Sequence, residues 1–326
     1  MNENLALDFF QLLINGEKDD KIEAYQRVID SAFKILNPVH EKIVGNLRNH
    51  QNQDAMILFQ MAISKGLAIQ TLINGVQYKN RESGSSNRII DPTPIAAITR
   101  TQFEAFSTFH NIYNSSTDQN VINLLHDIWV IAGLKERQKG FDSEHPKHLI
   151  KAQKENDEIE KLIIRVKENP VFLNETKEKQ VKIIEWINKR KFEISYRNNK
   201  LVLLPHIDMF INAGVNKMFE KQYSMLSWFV HPSNLSVMQF GQMFEKNFNK
   251  EQTYTFLHIS RIIISMLIVE YCTYFPIAKE EFLKLPKIDQ LLVYFDNKTY
   301  RSENHFSIEA WRDLEIELTK IFEFRK

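Results

Sequence analysis

Cysteine is almost missing from this chain. Cys272 is the one thiol in 326 residues. No internal disulfide can form, which excludes the small secreted scaffolds that depend on such links. Its neighbours are apolar, so it reads as an inert core thiol rather than a reactive one. Glycine and proline are also scarce, nine of each, and most prolines fall between periodic segments. Charge of one sign is lacking. The formal net charge of +1 gives no global pull toward nucleic acid or an anionic membrane. The stretch Met1-Asn2-Glu3-Asn4 lacks the positive region of a signal peptide. The most apolar run, Ile262 to Val269, is bracketed by Arg261 and Glu270. It is shorter than the roughly 20 residues a bilayer span needs, so a cytoplasmic location is expected. No Gly-rich phosphate loop, Cys/His zinc spacing, HExxH or G-x-S-x-G occurs. A nucleotide-driven motor, a zinc enzyme and an α/β-hydrolase are therefore not expected, and neither is a metal or cofactor.

What is present is ordinary globular material, 43% hydrophobic and 25% charged. A chain of this length can bury roughly 75% of its unfolded surface. The usage, rich in Asn, Lys and Ile, is of the kind AT-rich bacterial genomes encode. Helical periodicity dominates and strand-like alternation is rare. The expected fold is all-α, a bundle of about ten to twelve helices, with at most one short hairpin near 194–205 and Asn198-Asn199 at its turn. Helices are expected near 3–15, 20–36, 38–49 and 54–78, the last apolar nearly all round and hence central. Residues 79–91 read as a polar loop. Thr93-Pro94 then opens a helix to about Asn114, and Thr117 caps another that ends near Gly140. The Lys/Glu-rich segment 145–193 reads as two helices broken at Asn169-Pro170, the second capped by Asn174. Further helices are expected near 206–230, 234–247, 251–275 and 278–295, with a last one capped by Ser307. The organisation expected is one helical domain over 1–326. Within it stand an N-terminal lobe 1–50, a core 51–275 bearing the charged hairpin 145–193, and an extension 276–326.

Three segments place polar groups where burial is expected. Arg100 and Glu104 are four apart on an apolar helix and share a face. They are either a surface pair or a buried one with a structural or functional reason. Tyr223, Ser227 and His231 fall on one stripe at i, i+4, i+8. Pro232 disfavours the helical conformation at His231, so the helix should end there and Ser233 should cap the next. A histidine at such a corner, beside hydroxyls and Trp228, suits a general acid or base. It equally suits a residue that ties two helices together. His258, Arg261 and Ser265 line the third stripe, and Arg261 needs a carboxylate, for which Glu104 is a candidate. Arg137 reads as a surface residue.

Three motifs carry a resemblance: Arg100-x-x-x-Glu104; Trp129 with Gly133, Leu134 and Arg137; and Tyr223 to Ser233, read Y-x-x-L-S-x-x-V-H-P-S. Together they resemble a family of bacterial all-helical proteins described only as a domain of unknown function, over roughly residues 50–275. That resemblance implies a fold and a candidate site but no reaction. A more distant likeness is to the HEPN helical domains of toxin–antitoxin and phage-defence systems, some of them metal-independent ribonucleases. Their arginine precedes a histidine by four to six intervening residues. Here the spacings Arg100 to His110, Arg197 to His206 and Arg301 to His305 all depart from that.

Two function classes follow. In one the chain is a helical hydrolase or nuclease of bacterial defence, with Arg100, Glu104 and His231 as catalytic candidates and Tyr223, Ser227, His258 and Arg261 as binding candidates. In the other it is a non-enzymatic interaction or scaffold module using the charged hairpin. Self-association through apolar helices is a further expectation, and no particular partner is implied.

Overall fold

The computed structural model describes residues 3–13, 18–44, 50–141, 145–205, 208–245 and 248–301. Over these the chain is all-helical apart from two hairpins. The helix expected from Ser307 lies outside the described residues. The chain opens with α1 (Glu3–Leu13), α2 (Lys18–Val44) and α3 (His50–Leu72). α2 runs through Pro38, where a break between two helices is expected. The acceptor orphaned by a proline belongs to the residue four earlier. That residue, Lys34, is exposed, so water can satisfy it.

A hairpin follows, β1 (Val76–Lys79) and β2 (Ser86–Ile89). α3 ends six residues before the expected 78, β1 takes the last residues expected to be helical, and β2 lies in the expected polar loop. The hairpin is a second one beside that expected near 194–205. Gly75 enters it at φ +79, a conformation glycine reaches without strain. α4 (Pro92–Phe109) starts two residues earlier than Thr93-Pro94 suggests. Asp91 is the cap, accepting from the Thr93 amide at 2.9 Å. Its last turn passes into a π turn at His110–Asn114. α5 (Gln119–Gln138) is capped by Asp118 rather than Thr117. α6 (Pro146–Glu168), the short α7 (Pro170–Leu173) and α8 (Lys177–Asn188) break at Asn169-Pro170 as expected, with Thr176 in place of Asn174 capping α8. β3 (Ile194–Arg197) and β4 (Lys200–Leu203) form the expected hairpin. Asn198 and Asn199 both have positive φ, 49 and 59, the requirement of a tight two-residue turn matched to strand twist. The remaining helices are α9 (Asp208–Asn212), α10 (Lys217–Val230), α11 (Asn234–Glu245), α12 (Asn249–Tyr274), α13 (Pro276–Lys284) and α14 (Lys287–Arg301).

The chain divides into two compact units, residues 1–109 with 214–326, and residues 110–213. In the first, α12 is the central helix, packed by α2, α3, α4, α13 and α14. Every side chain from Ile259 to Cys272 on it is buried. α3, apolar nearly all round, is not central: it leaves Ile57, Met61 and Leu67 exposed. Both helices are long and apolar enough to cross a membrane, but 89% of the apolar window of α12 is buried inside the fold, as a core helix requires. Gly66 lets α3 approach α2. A Cβ there would lie 2.5 Å from Ile29 Cδ1. Across this contact runs a buried polar chain. Gln102 donates to the Ala62 carbonyl at 3.0 Å and accepts from Ser260 at 2.6 Å, and Tyr25 lies 3.0 Å from Ser260.

The second unit has its own core. Val121, Leu125 and Ile128 of α5 meet Leu162 and Val166 of α6, Ile183 and Ile187 of α8, and Ile194 and Leu201 of the hairpin. The Lys/Glu-rich helices therefore bury one apolar face and carry most of their charge outside it. Two of their charges reach inward: Arg165 pairs with buried Asp127, and buried Glu155 takes Arg137 at 2.6 Å.

Candidate functional site

In the first unit, α4 and α10 lie side by side and antiparallel. Phe103 stacks on Phe219 with ring centroids 5.2 Å apart, and further along α10 Tyr223 meets Arg100. α10 ends at His231, which is extended (φ −107, ψ 133) ahead of Pro232, as the proline dictates. Ser233 caps α11, accepting from the Ser236 amide at 3.2 Å, while Ser236 donates back to the His231 carbonyl at 2.6 Å. The backbone carbonyl of His231 is thus held by Ser236, and the residue is exposed to solvent.

Four side chains converge there. Arg100 Nε lies 3.3 Å from Glu104 Oε1. Tyr223 Oη accepts from Arg100 Nε at 3.3 Å and Nη2 at 3.2 Å, and donates to Glu104 Oε1 at 3.0 Å. Arg100 Nη1 lies 3.3 Å from His231 Nε2. The Arg100 and Glu104 side chains are 22% and 33% exposed, so the group sits in a shallow surface, neither deep core nor free rim. Burial raises the Tyr223 hydroxyl above its usual range, Arg100 opposing and Glu104 adding to the rise. Tyr223 therefore stays a neutral bridge. Burial pulls the nearby Lys65 ammonium down, with Glu104 opposing.

The remaining candidates go elsewhere. Ser227 donates to the Tyr223 carbonyl one turn back at 2.9 Å, which occupies its hydrogen within its own helix. Arg261 takes Asp296 as its carboxylate at 2.8 Å, not Glu104, and Ser265 donates to the same carboxylate. His258 Nε2 lies 3.4 Å from Tyr300 Oη. These three residues tie α12 to α14, and none of them joins Arg100. Arg137 belongs to the second unit, where it neutralises Glu155.

Sequence reasoning missed Asp296, Tyr300 and Lys65. Asp296 carried a signal, a carboxylate directly after the run Leu291-Leu292-Val293-Tyr294-Phe295. Among the described residues no group of three His, Cys, Asp or Glu side chains is placed to hold a metal ion. A polar cavity of about 350 Å³ lies in the second unit beside Asp118, Thr176, Lys179 and Lys200. Asp118 and Thr176 are occupied in capping helices, and Lys179 pairs with Glu175. No family model matches this sequence, and no curated protein or solved structure is significantly similar to it.

Proposed function

We infer that this protein is a hydrolase of phosphate esters. Arg100 holds the phosphate, Glu104 and Tyr223 orient Arg100, and His231 exchanges the proton. The 3.3 Å contact between Arg100 Nη1 and His231 Nε2 at an exposed corner carries the reading. A guanidinium has only donors, so this contact uses the Nε2 lone pair and leaves the ring proton on Nδ1. An oxyanion that reaches Arg100 competes for the same N–H and releases that lone pair. The fork of the guanidinium matches two phosphate oxygens. Water, or a hydroxyl of the ester itself, then adds to phosphorus and gives its proton to Nε2. The bond from phosphorus to the leaving oxygen breaks, and that oxygen takes the proton back from the imidazolium. Charge gathering on the phosphoryl oxygens faces a cation already aligned by Tyr223 and Glu104. The likeness to helical defence domains extends the same proposal to a role in bacterial defence.

The test is turnover of a small chromogenic phosphodiester by the full chain and by His231→Ala and Arg100→Ala. The expected loss at His231 is on the order of 10²- to 10⁴-fold, with unchanged urea unfolding. A wild-type chain without turnover, or His231→Ala at full rate, removes the reading.

A second reading, an interaction module, draws on the second unit. Leu149, Ile150 and Ile164 of α6 and Val181 of α8 stand more than half exposed among lysines and glutamates. Ile150→Glu with Val181→Glu should abolish capture of a partner without loss of helicity. An unchanged interaction profile counts against it.

A further inference from the structure

We propose that the β1–β2 hairpin and the His231 corner form one surface for single-stranded nucleic acid, with the ribbon holding the strand and presenting a phosphate to Arg100. For the chemistry this rests on the hydrolase reading above; for the binding it does not.

Residues 76–90 carry Lys79, Arg81 and Arg88 against the single carboxylate of Glu82. All three cations are exposed. No ion pair involving them occurs among the described residues. Both strands are exposed along their whole length, so no core lies beneath the ribbon. The register pairs Val76 with Ile89 and Tyr78 with Asn87, and between them Gln77 with Arg88 and Lys79 with Ser86. Alternation therefore sorts the ribbon into two faces. One holds Tyr78 flanked by Val76 and Ile89, exposed by 55%, 57% and 47%. The other holds Lys79 and Arg88. Neighbouring strands lie only about 4.8 Å apart, so long basic side chains reach round the edge to phosphates while the tyrosine face takes a base. An aromatic ledge beside unneutralised cations is the arrangement that binds single strands with little sequence preference. A duplex keeps its bases stacked and offers Tyr78 nothing to stack on.

Placement adds the second half of the argument. The ribbon leads directly into α4, and Arg100 lies eight residues beyond Pro92, about 12 Å at 1.5 Å per residue. Because α10 runs antiparallel to α4, its His231 end points toward the ribbon. Asn249 donates to the Ile90 carbonyl at 3.0 Å, which ties the foot of the ribbon to the start of α12. On this proposal a strand bound on Tyr78 passes its next phosphates along α4 toward the guanidinium.

Fluorescence anisotropy with the full chain and labelled oligonucleotides of about twelve nucleotides, within the range of known single-strand sites, tests this. Single-stranded DNA and RNA should both bind, and the matching duplex more weakly. Replacing Lys79, Arg81 and Arg88 together by alanine should flatten the slope of log K against log salt by about 2, at roughly 0.7 per phosphate. Tyr78→Ala should weaken binding about tenfold and Tyr78→Phe should restore it. These residues are exposed, so circular dichroism should not change. Preference for duplex, insensitivity to the triple substitution, equal competition by polyglutamate, or no binding overturns the proposal. The small phosphodiester separates the two ideas. Its turnover without oligonucleotide binding removes the ribbon alone. Binding without turnover of either substrate removes the hydrolase reading and leaves the ribbon standing.

Discussion

Asp296 accepts from Arg261 at 2.8 Å in a position where neither side chain reaches solvent, their exposures being 0% and 3%. Burial pushes the Asp296 carboxyl up, and Arg261 and Ser265 pull it back. Such a pair is costly to break, because each charge left alone stays buried. Asp296→Ala should lose about 3–5 kcal/mol in urea unfolding. The double change Arg261→Met with Asp296→Leu should lose far less, since no orphan charge remains. A single variant no worse than the double would contradict the assignment of a structural ion pair.

Gly66→Ala should destabilise by about 1–3 kcal/mol, the usual cost of overpacking. The new methyl would meet Ile29 Cδ1 at 2.5 Å and Ile264 Cδ1 at 3.1 Å. Ile29→Val removes the nearer atom, so the double variant should recover part of the loss. A double-mutant cycle with no coupling would place the strain elsewhere.

Tyr223 reports on the candidate site without any assay of activity. Arg100 lowers its hydroxyl and Glu104 raises it, both against a larger rise from burial. Arg100→Leu should therefore shift Tyr223 ionisation to higher pH and Glu104→Gln to lower pH, read by carbon NMR of the labelled ring. Equal shifts in one direction would mean the four-residue cluster does not persist in solution.

The alkaline limit of stability has a definite sign. Burial raises the hydroxyls of Tyr25, Tyr271 and Tyr274, the last to about 12 against an ordinary value of 10.0. Their unfolded pKa lies lower, so their contribution is complete below pH 10 and declines as pH climbs toward 12. Phenolate absorbance at 295 nm should therefore rise together with loss of helical circular dichroism. Phenolate appearing well before helix loss would mean these rings are open to water.

Local features were legible and distant pairings were not. His231 was readable because Pro232 acts on its immediate neighbour. Asn198-Asn199 was readable because few residues accept left-handed backbone twice in succession. The Arg100–Glu104 pair followed from helical spacing. Glu104 as partner for Arg261 was an error of a different kind, since Asp296 stands thirty-five residues away in sequence and no periodicity links the two. The first hairpin is hard to read because the alternation of Val76 and Tyr78 with polar residues lasts only four positions and also fits the end of the helix expected over 54–78. The central place expected for α3 went instead to α12. A helix apolar on every side tells how much it could bury, not how many neighbours surround it.

The first unit is built from two stretches of chain with the second unit between them, and this sets an order of events during synthesis. Helices α1 to α4 leave the ribosome with Phe59 and Phe109 awaiting Tyr271 of α12, which has yet to be translated because that helix begins at Asn249. The intervening unit, with a core of its own, can close first. Until α12 arrives, the earlier half is a set of greasy surfaces in water. Nascent chains of this protein should therefore occupy chaperones longest between completion of α4 and emergence of α12.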